Sequence, residues 1–187
     1  MERRSVATKP AKGTGGRPDL VDRKFEAEAP DRPHVAGITY GRMTDGRSAY
    51  TASVTDMFAR RIVGRACATT MNTEEPPLQA LEQAIAWAAS RGGTDGLARH
   101  GDHGVQYTGT VGDSRDNAMA ESADGAYRTG LVWRRKPFHD PKDLGPATFR
   151  RVSWRNSKRL HRPLGYGTPE AVETEYYTNQ ASQAASL

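Results

Sequence analysis

One cysteine, Cys67, in 187 residues rules out an internal disulfide and fits a reducing cytosol. No apolar run approaches the roughly 20 residues that a helix needs to cross a bilayer, so no membrane partner is expected. Met1 to Gly16 have no apolar stretch like that of a secretory signal. A cytoplasmic place is therefore expected. Apolar material is also scarce: 36% of residues are hydrophobic and 7% aromatic, and mean hydropathy is −0.76. That is enough for one domain with a core of modest stability. Acid is the minority charge. Lys and Arg number 27 against 22 Asp and Glu, a net charge of +5, and the pI is about 9.5. Such a balance favours polyanions, nucleic acid first.

Residues 1–33 read as a basic flexible linker, broken by Lys9-Pro10, Gly13-Thr14-Gly15-Gly16 and Arg17-Pro18. The glycine cluster lacks the Gly-Lys-Ser/Thr ending of a phosphate loop. Residues 34–68 read as three antiparallel strands, 35–40, 49–55 and 62–68, with Asp45-Gly46 as the hairpin turn. The pattern predicts a helix over 73–91. Thr73 caps it, Glu74 and Glu75 suit its positive end, and Gly92-Gly93 stops it. Leu78, Leu81, Ile85 and Ala88 share a face expected to meet the sheet, and Trp87 reads as packing rather than base stacking. A short strand is expected over 96–100. A helix over 113–133 opens with capping chemistry at Asp113 and Ser114 and is weakened by Gly125 and Gly130. From Leu144 to Pro169 there is no acid, while Arg150, Arg151, Arg155, Lys158, Arg159 and Arg162 stand among Phe149 and Trp154. That stretch reads either as a DNA-backbone track or as a solvated face. After Tyr177 a polar tail, 178–187, is expected to fray.

The acids that carry chemistry in this reading are Asp102, at a strand end, and Glu121, on the helix after it. Carboxylates on two elements can converge on a hard divalent cation, and Mg²⁺ usually takes only one or two of them. His100-x-x-His103 is a weak zinc signal, because structural zinc needs four N or S ligands and the five His and one Cys are scattered. No Gly-x-Ser-x-Gly elbow supports a serine hydrolase.

His100-Gly-Asp102-His-Gly-Val-Gln-Tyr107, followed by Gly112-Asp-Ser-x-Asp-Asn-Ala-x-Ala-Glu121-Ser, resembles the integrase core of IS3-type insertion-sequence transposases. So do Asp56 to Gly64 and the closing run Asn156-x-x-Arg159-Leu-His161-x-Pro-Leu-Gly-Tyr166-x-Thr-Pro169. The resemblance spans about residues 17 to 177. It implies an α/β, RNase H-like fold: a three-stranded antiparallel meander, then helices and a further strand, here incomplete. Residues 34–133 correspond to the core and 134–177 to its basic C-terminal part. It implies metal-dependent cleavage and transfer of DNA strands, with Mg²⁺ (or Mn²⁺) as cofactor, and DNA and other transposase subunits as partners. Asp102 and Glu121 fall at the second and third positions of a D-D-E triad. The first acid belongs within His34-Val-Ala-Gly37-Ile-Thr-Tyr40, where this chain has Gly37. The connection from Asp102 to Glu121 is shorter than the family's. An impaired enzyme is therefore expected, or a remnant that binds DNA or a partner transposase without catalysis. Asp56 is the acid to which a substitute role would fall, although the family gives it none.

Overall fold

In a computed structural model, residues 27–69, 75–92, 98–101, 138 and 140–186 are described. Strand β1 (Pro33–Arg42) turns through Asp45-Gly46 into β2 (Ser48–Asp56), and β3 (Ile62–Ala68) follows. The turn forms where its chemistry predicts. Gly46 takes a φ of 85°, open to glycine at little cost. The Asp45 carboxylate accepts from Arg47 N at 2.9 Å, and Met43 N donates to Arg47 O at 2.8 Å. Helix α1 (Glu75–Ala89) then leads to β4 (Ala98–Gly101), which pairs with β1 in parallel. The sheet order is β3-β2-β1-β4. Helix α2 (Pro141–Ser157), a 3-10 turn (Arg162–Leu164) and helix α3 (Pro169–Ala184) complete the described chain.

The meander and α1 follow the sequence expectation closely, but the buried face of α1 does not. Pro76, Pro77, Ala80, Ala84 and Ala88 are buried, whereas Leu78 and Ile85 are 52% and 41% exposed. The cause lies on β3. Gly64 sits so close beneath α1 that a Cβ there would overlap the Ala80 carbonyl oxygen. A helix that close to the sheet can present only small side chains. The core on this face is Ala36, Ala52, Val54, Val63, Ala66, Ala80 and Ala84, with Ile38 and Trp87 at its edge.

Helix α2 covers part of the other face. Leu144 packs with Met43 and Ala49. Asn156 brackets the edge strand: its Oδ1 accepts from Ile62 N at 3.1 Å and its Nδ2 donates to Ile62 O at 2.9 Å. The sequence pattern assigns no element to this stretch. Its buried positions, Leu144, Ala147, Thr148, Val152 and Asn156, recur at helical spacing but are dispersed among cations. Thr168 caps α3 by accepting from Ala171 N at 3.2 Å, with Pro169 buried in the first turn. The tail expected after Tyr177 is helical to Ala184, with exposed side chains from Thr178 onward. The end of the expected linker is likewise fixed, since Asp31 is buried and bonded to Asp56. The helix expected over 113–133 lies outside the described residues.

Candidate functional site

The sheet brings Gly37, which the resemblance sets at the first-acid position, to a defined place. Gly37 is buried in the middle of β1, opposite Ser53 of β2. On its other side β4 runs parallel to β1, and the last pair in that ladder is Ala36 with Gly101. The next residue on β1 is Gly37, and the next in sequence after β4 is Asp102. Asp102 and Glu121 themselves lie outside the described residues. Alternation along the strands puts Val35, Gly37 and Thr39 on one face with their partners Thr55, Ser53 and Thr51. Among these no carboxylate is present.

Asp56 does not share that face. Its partner across the ladder is His34, three residues from Gly37. That offset is about 10 Å along the strand and an odd number of residues, so Asp56 points to the opposite face. There it belongs to a buried network. Its Oδ1 accepts from Asp31 N at 3.0 Å and its Oδ2 from Ala59 N at 2.7 Å. His34 Nε2 lies 3.1 Å from Asp31 Oδ1, and the Tyr177 hydroxyl donates to Asp31 Oδ2 at 3.4 Å. Ligand-type atoms of Asp31, His34 and Asp56 all fall within 4.8 Å of one another, a spacing that also suits a cation. The hydrogen bonds give the cluster a structural role, tying the residues before β1 to β2 and to α3.

Burial raises the Asp56 carboxyl from 3.8 to about 6, against the backbone hydrogen bonds from Ala59 and Asp31. The folded chain thus holds this proton to higher pH than the unfolded chain does. The group's contribution to stability is fullest below about pH 4 and falls as pH rises to about 6. Asp56→Asn is expected to flatten that part of the profile. Losing one backbone acceptor should cost about 1–3 kcal/mol. Urea midpoints of both proteins between pH 4 and 7 test this, and an unchanged profile in the variant refutes it.

The basic stretch divides by burial. Arg150, Lys158 and Arg162 are exposed. Arg151 lies 4.6 Å over the Trp154 ring. Arg155 turns inward, and its Nη2 donates to Arg60 O at 3.5 Å. Phe149 and Trp154 are both exposed on α2. The packing role read for Trp87 holds: Arg61 and Arg91 lie over its ring at 4.4 and 4.2 Å, and its Nε1 donates to Glu173 at 3.3 Å.

No family model matches the chain. Two curated relatives are each described as a putative transposase for insertion sequence element IS986/IS6110, one from Mycobacterium tuberculosis and one from Mycobacterium bovis. Each is 39% identical over 203 residues, covering 98% of this chain and 71% of the relative. The chain belongs to the IS3-type insertion-sequence transposases. The transposase for insertion sequence element IS629 from Shigella sonnei is 38% identical over 178 residues, covering 86% of this chain and 58% of its own. The IS986/IS6110 alignments run over 203 positions against a chain of 187, so at least sixteen positions face a gap in this one. An internally shortened member of the transposase family gives that excess.

Two structurally important residues of this transposase chain carry little signal in the sequence. Glu173 is one of three acids in a polar helix, with nothing in its spacing to mark it as the buried one. His161 is visible only as part of the closing motif. The order of elements marks neither, because their partners, Arg61 and Arg155 among them, are set by tertiary packing.

Proposed function

We propose that this chain is an RNase H-like transposase core that acts on DNA in transposition and is impaired in strand cleavage. The observation that carries the reading is the parallel pairing of β4 with β1. Its last pair, Ala36 with Gly101, sits one residue before Gly37 on one strand and one residue before Asp102 in the sequence. A sheet ordered β3-β2-β1-β4, with an antiparallel meander and a parallel fourth strand reached through α1, supports the RNase H-like assignment. Asp102 and Glu121 are the proposed second and third acids of the triad. Residues 34–133 are the proposed core, and 134–177 its basic C-terminal part. Contacts of Asn156 and Glu173 with β3 and its preceding turn support treating both parts as one folded unit.

The donors at the first-acid position do not fit a pair of Mg²⁺ ions. Such sites clamp the attacking and leaving oxygens between metals bridged by carboxylate. Gly37 supplies none, and among the described residues its neighbours on β1 and β2 on that face offer hydroxyls, those of Thr39, Thr51, Ser53 and Thr55. Hydroxyls are neutral and cannot balance the charge of two divalent cations. The reading favoured by Gly37 is a DNA-binding or partner-binding member of the family, held in the cytoplasm, where its DNA is. No described helix is long and apolar enough to cross a membrane.

Gly37→Asp is the test. Its activity on an end-labelled insertion-sequence duplex, with Mg²⁺ or Mn²⁺, is expected to stay within about tenfold of background, because the connection from Asp102 to Glu121 is also shorter than the resemblance implies for the family. Strong metal-dependent cleavage by the wild type would overturn the impairment. Strong cleavage by the variant alone would assign the defect to Gly37 and refute any effect of the shortening.

A further inference from the structure

The ladder between β1 and β2 sets His34 directly opposite Asp56, and such partners have Cβ atoms about 5 Å apart. Asp31 reaches the same spot because the chain turns just ahead of β1, with Asp31 at a φ of 57°. Its Oδ1 lies 3.1 Å from His34 Nε2. One donor atom from each of the three side chains lies within 4.8 Å of the others. All three are buried: Asp31 is 8% exposed, Asp56 2% and His34 1%. The ion pairs among the described residues are Asp31–His34, Asp45–Arg47 and Glu173 with Arg61 and Arg91. Among the described residues, then, neither Asp31 nor Asp56 pairs with a lysine or an arginine.

Two ionised carboxylates and a neutral imidazole sum to a charge of −2. Hydrogen bonds satisfy lone pairs in such a place but leave the charge uncompensated, and a buried charge of that kind is costly. One divalent cation balances it. The donor set narrows the ion. Mg²⁺ takes oxygen ligands and keeps several waters, which a site this buried does not supply. Imidazole suits zinc and its neighbours, and zinc outranks manganese and ferrous iron at a mixed nitrogen and oxygen site. Ligands on a tetrahedral zinc, with bonds of about 2.0 Å, stand about 3.3 Å apart. The 3.1 Å between Nε2 and Oδ1 is close to that value. The surroundings hold the donors as metal ligands are commonly held, through hydrogen bonds of their own. Asp56 Oδ1 and Oδ2 each accept one backbone N–H, from Asp31 and Ala59, and each keeps a lone pair. The Tyr177 hydroxyl donates to Asp31 Oδ2, which leaves Oδ1 on the His34 side.

We propose that Asp31, His34 and Asp56 bind a divalent transition-metal ion, with zinc the best fit, as a structural clip between the residues before β1 and the end of β2. A carboxylate that binds through both oxygens supplies the fourth bond. His34 ligates as neutral imidazole through Nε2, and its hydrogen bond to Asp31 gives way to the metal bonds. Structural metal sites are closed, which matches the burial, and their ion is taken up as the chain folds. The site is mostly oxygen, so it has none of the His and Cys spacing by which zinc is sought in a sequence. It lies on the face opposite Gly37 and does not depend on the function proposed above.

The full chain is refolded from urea at neutral pH in zinc sulfate or in EDTA. Zinc per chain is counted after gel filtration, and thermal midpoints are compared. Metal that binds only the folded form raises the midpoint. The wild type is expected to retain one zinc per chain and to melt roughly 5–10 °C higher when zinc is about a hundredfold above its Kd. The pH dependence given above for Asp56 is that of the chain in EDTA. Asp31→Asn, at the least buried of the three positions, preserves shape and hydrogen-bonding capacity. It is expected to lose both the zinc and the rise, and to melt in EDTA within a few degrees of the wild type. His34→Gln should lose both as well, and decides the matter where Asp31→Asn fails to fold. The double variant Asp102→Asn with Glu121→Gln should keep both. A wild type that retains no zinc and melts alike in zinc and EDTA overturns the site. So does zinc retained in full by Asp31→Asn and His34→Gln. Zinc lost only from the double variant also overturns it, and assigns the metal to the proposed triad acids instead.

Discussion

Gly64→Ala is expected to destabilise the fold by about 3 kcal/mol or more, at or above the usual upper limit for overpacking. A methyl group is normally a small addition, and the reason for the large effect is geometric. The new Cβ would overlap the Ala80 carbonyl oxygen and lie 2.9 Å from its carbon and 3.2 Å from Ala84 N. All three are backbone atoms of α1, so no side chain can rotate away. Either α1 lifts from β3 or the edge strand bends. Both separate Ala80 and Ala84 from Ala36, Ala52, Val54 and Ala66, the only apolar layer on that face among the described residues. For a chain of this size, such a loss corresponds to a fall in Tm of roughly 6–12 °C. Circular dichroism melts of the two proteins decide the matter. A Tm within about 2 °C of the wild type would mean that α1 does not sit this close to β3.

Glu173→Gln is expected to cost about 3–5 kcal/mol, the range for removing one partner of a buried ion pair. Glu173 is almost wholly buried on α3. Its Oε2 lies 2.7 Å from Arg61 Nη1, and its Oε1 accepts from Trp87 Nε1 at 3.3 Å. The Arg61 side chain is 14% exposed, so neutralising Glu173 leaves a cation there with little water to compensate. One carboxylate thus joins α3 to α1 and to the turn before β3. The outer leg is different. Arg91 lies 3.6 Å away and is 31% exposed, and a pair so placed is worth no more than about 1 kcal/mol. Arg91→Ala should therefore be mild, apart from its stacking on Trp87. Chemical denaturation of both variants is the check. Equal losses would show that the network is not anchored on Arg61, and a negligible loss in Glu173→Gln would show that α3 is held by other contacts.

Some of this architecture is legible in the sequence because it depends on neighbours in the chain. Asp45-Gly46 between two runs of strand-forming residues specifies a hairpin wherever it occurs, and β1 and β2 form as expected. The helix expected over 73–91 forms as Glu75–Ala89, while Thr73, Glu74 and Gly93 lie outside the described residues. Its buried face is not legible in the same way, because amphipathicity points to the largest apolar residues, while the close approach at Gly64 selects the smallest. Helix α2 is hidden because its buried positions are interrupted by arginines whose stems and charges find places on other sides of the helix. The absence of an acid at Gly37 can be read from the sequence directly, and so can the residues flanking it.

The sequence by itself determined the family, the meander and the glycine at position 37, since each is a matter of residue identity and local spacing. Only the tertiary structure decided that Asp56 and Gly37 lie on opposite faces of the sheet. Pleating sends residues an odd number apart to opposite faces, and the register pairs Asp56 with His34 rather than with Gly37. It also decided which cations of the basic stretch face outward and which turn in, because burial is fixed by what packs over a residue and not by its place in the chain.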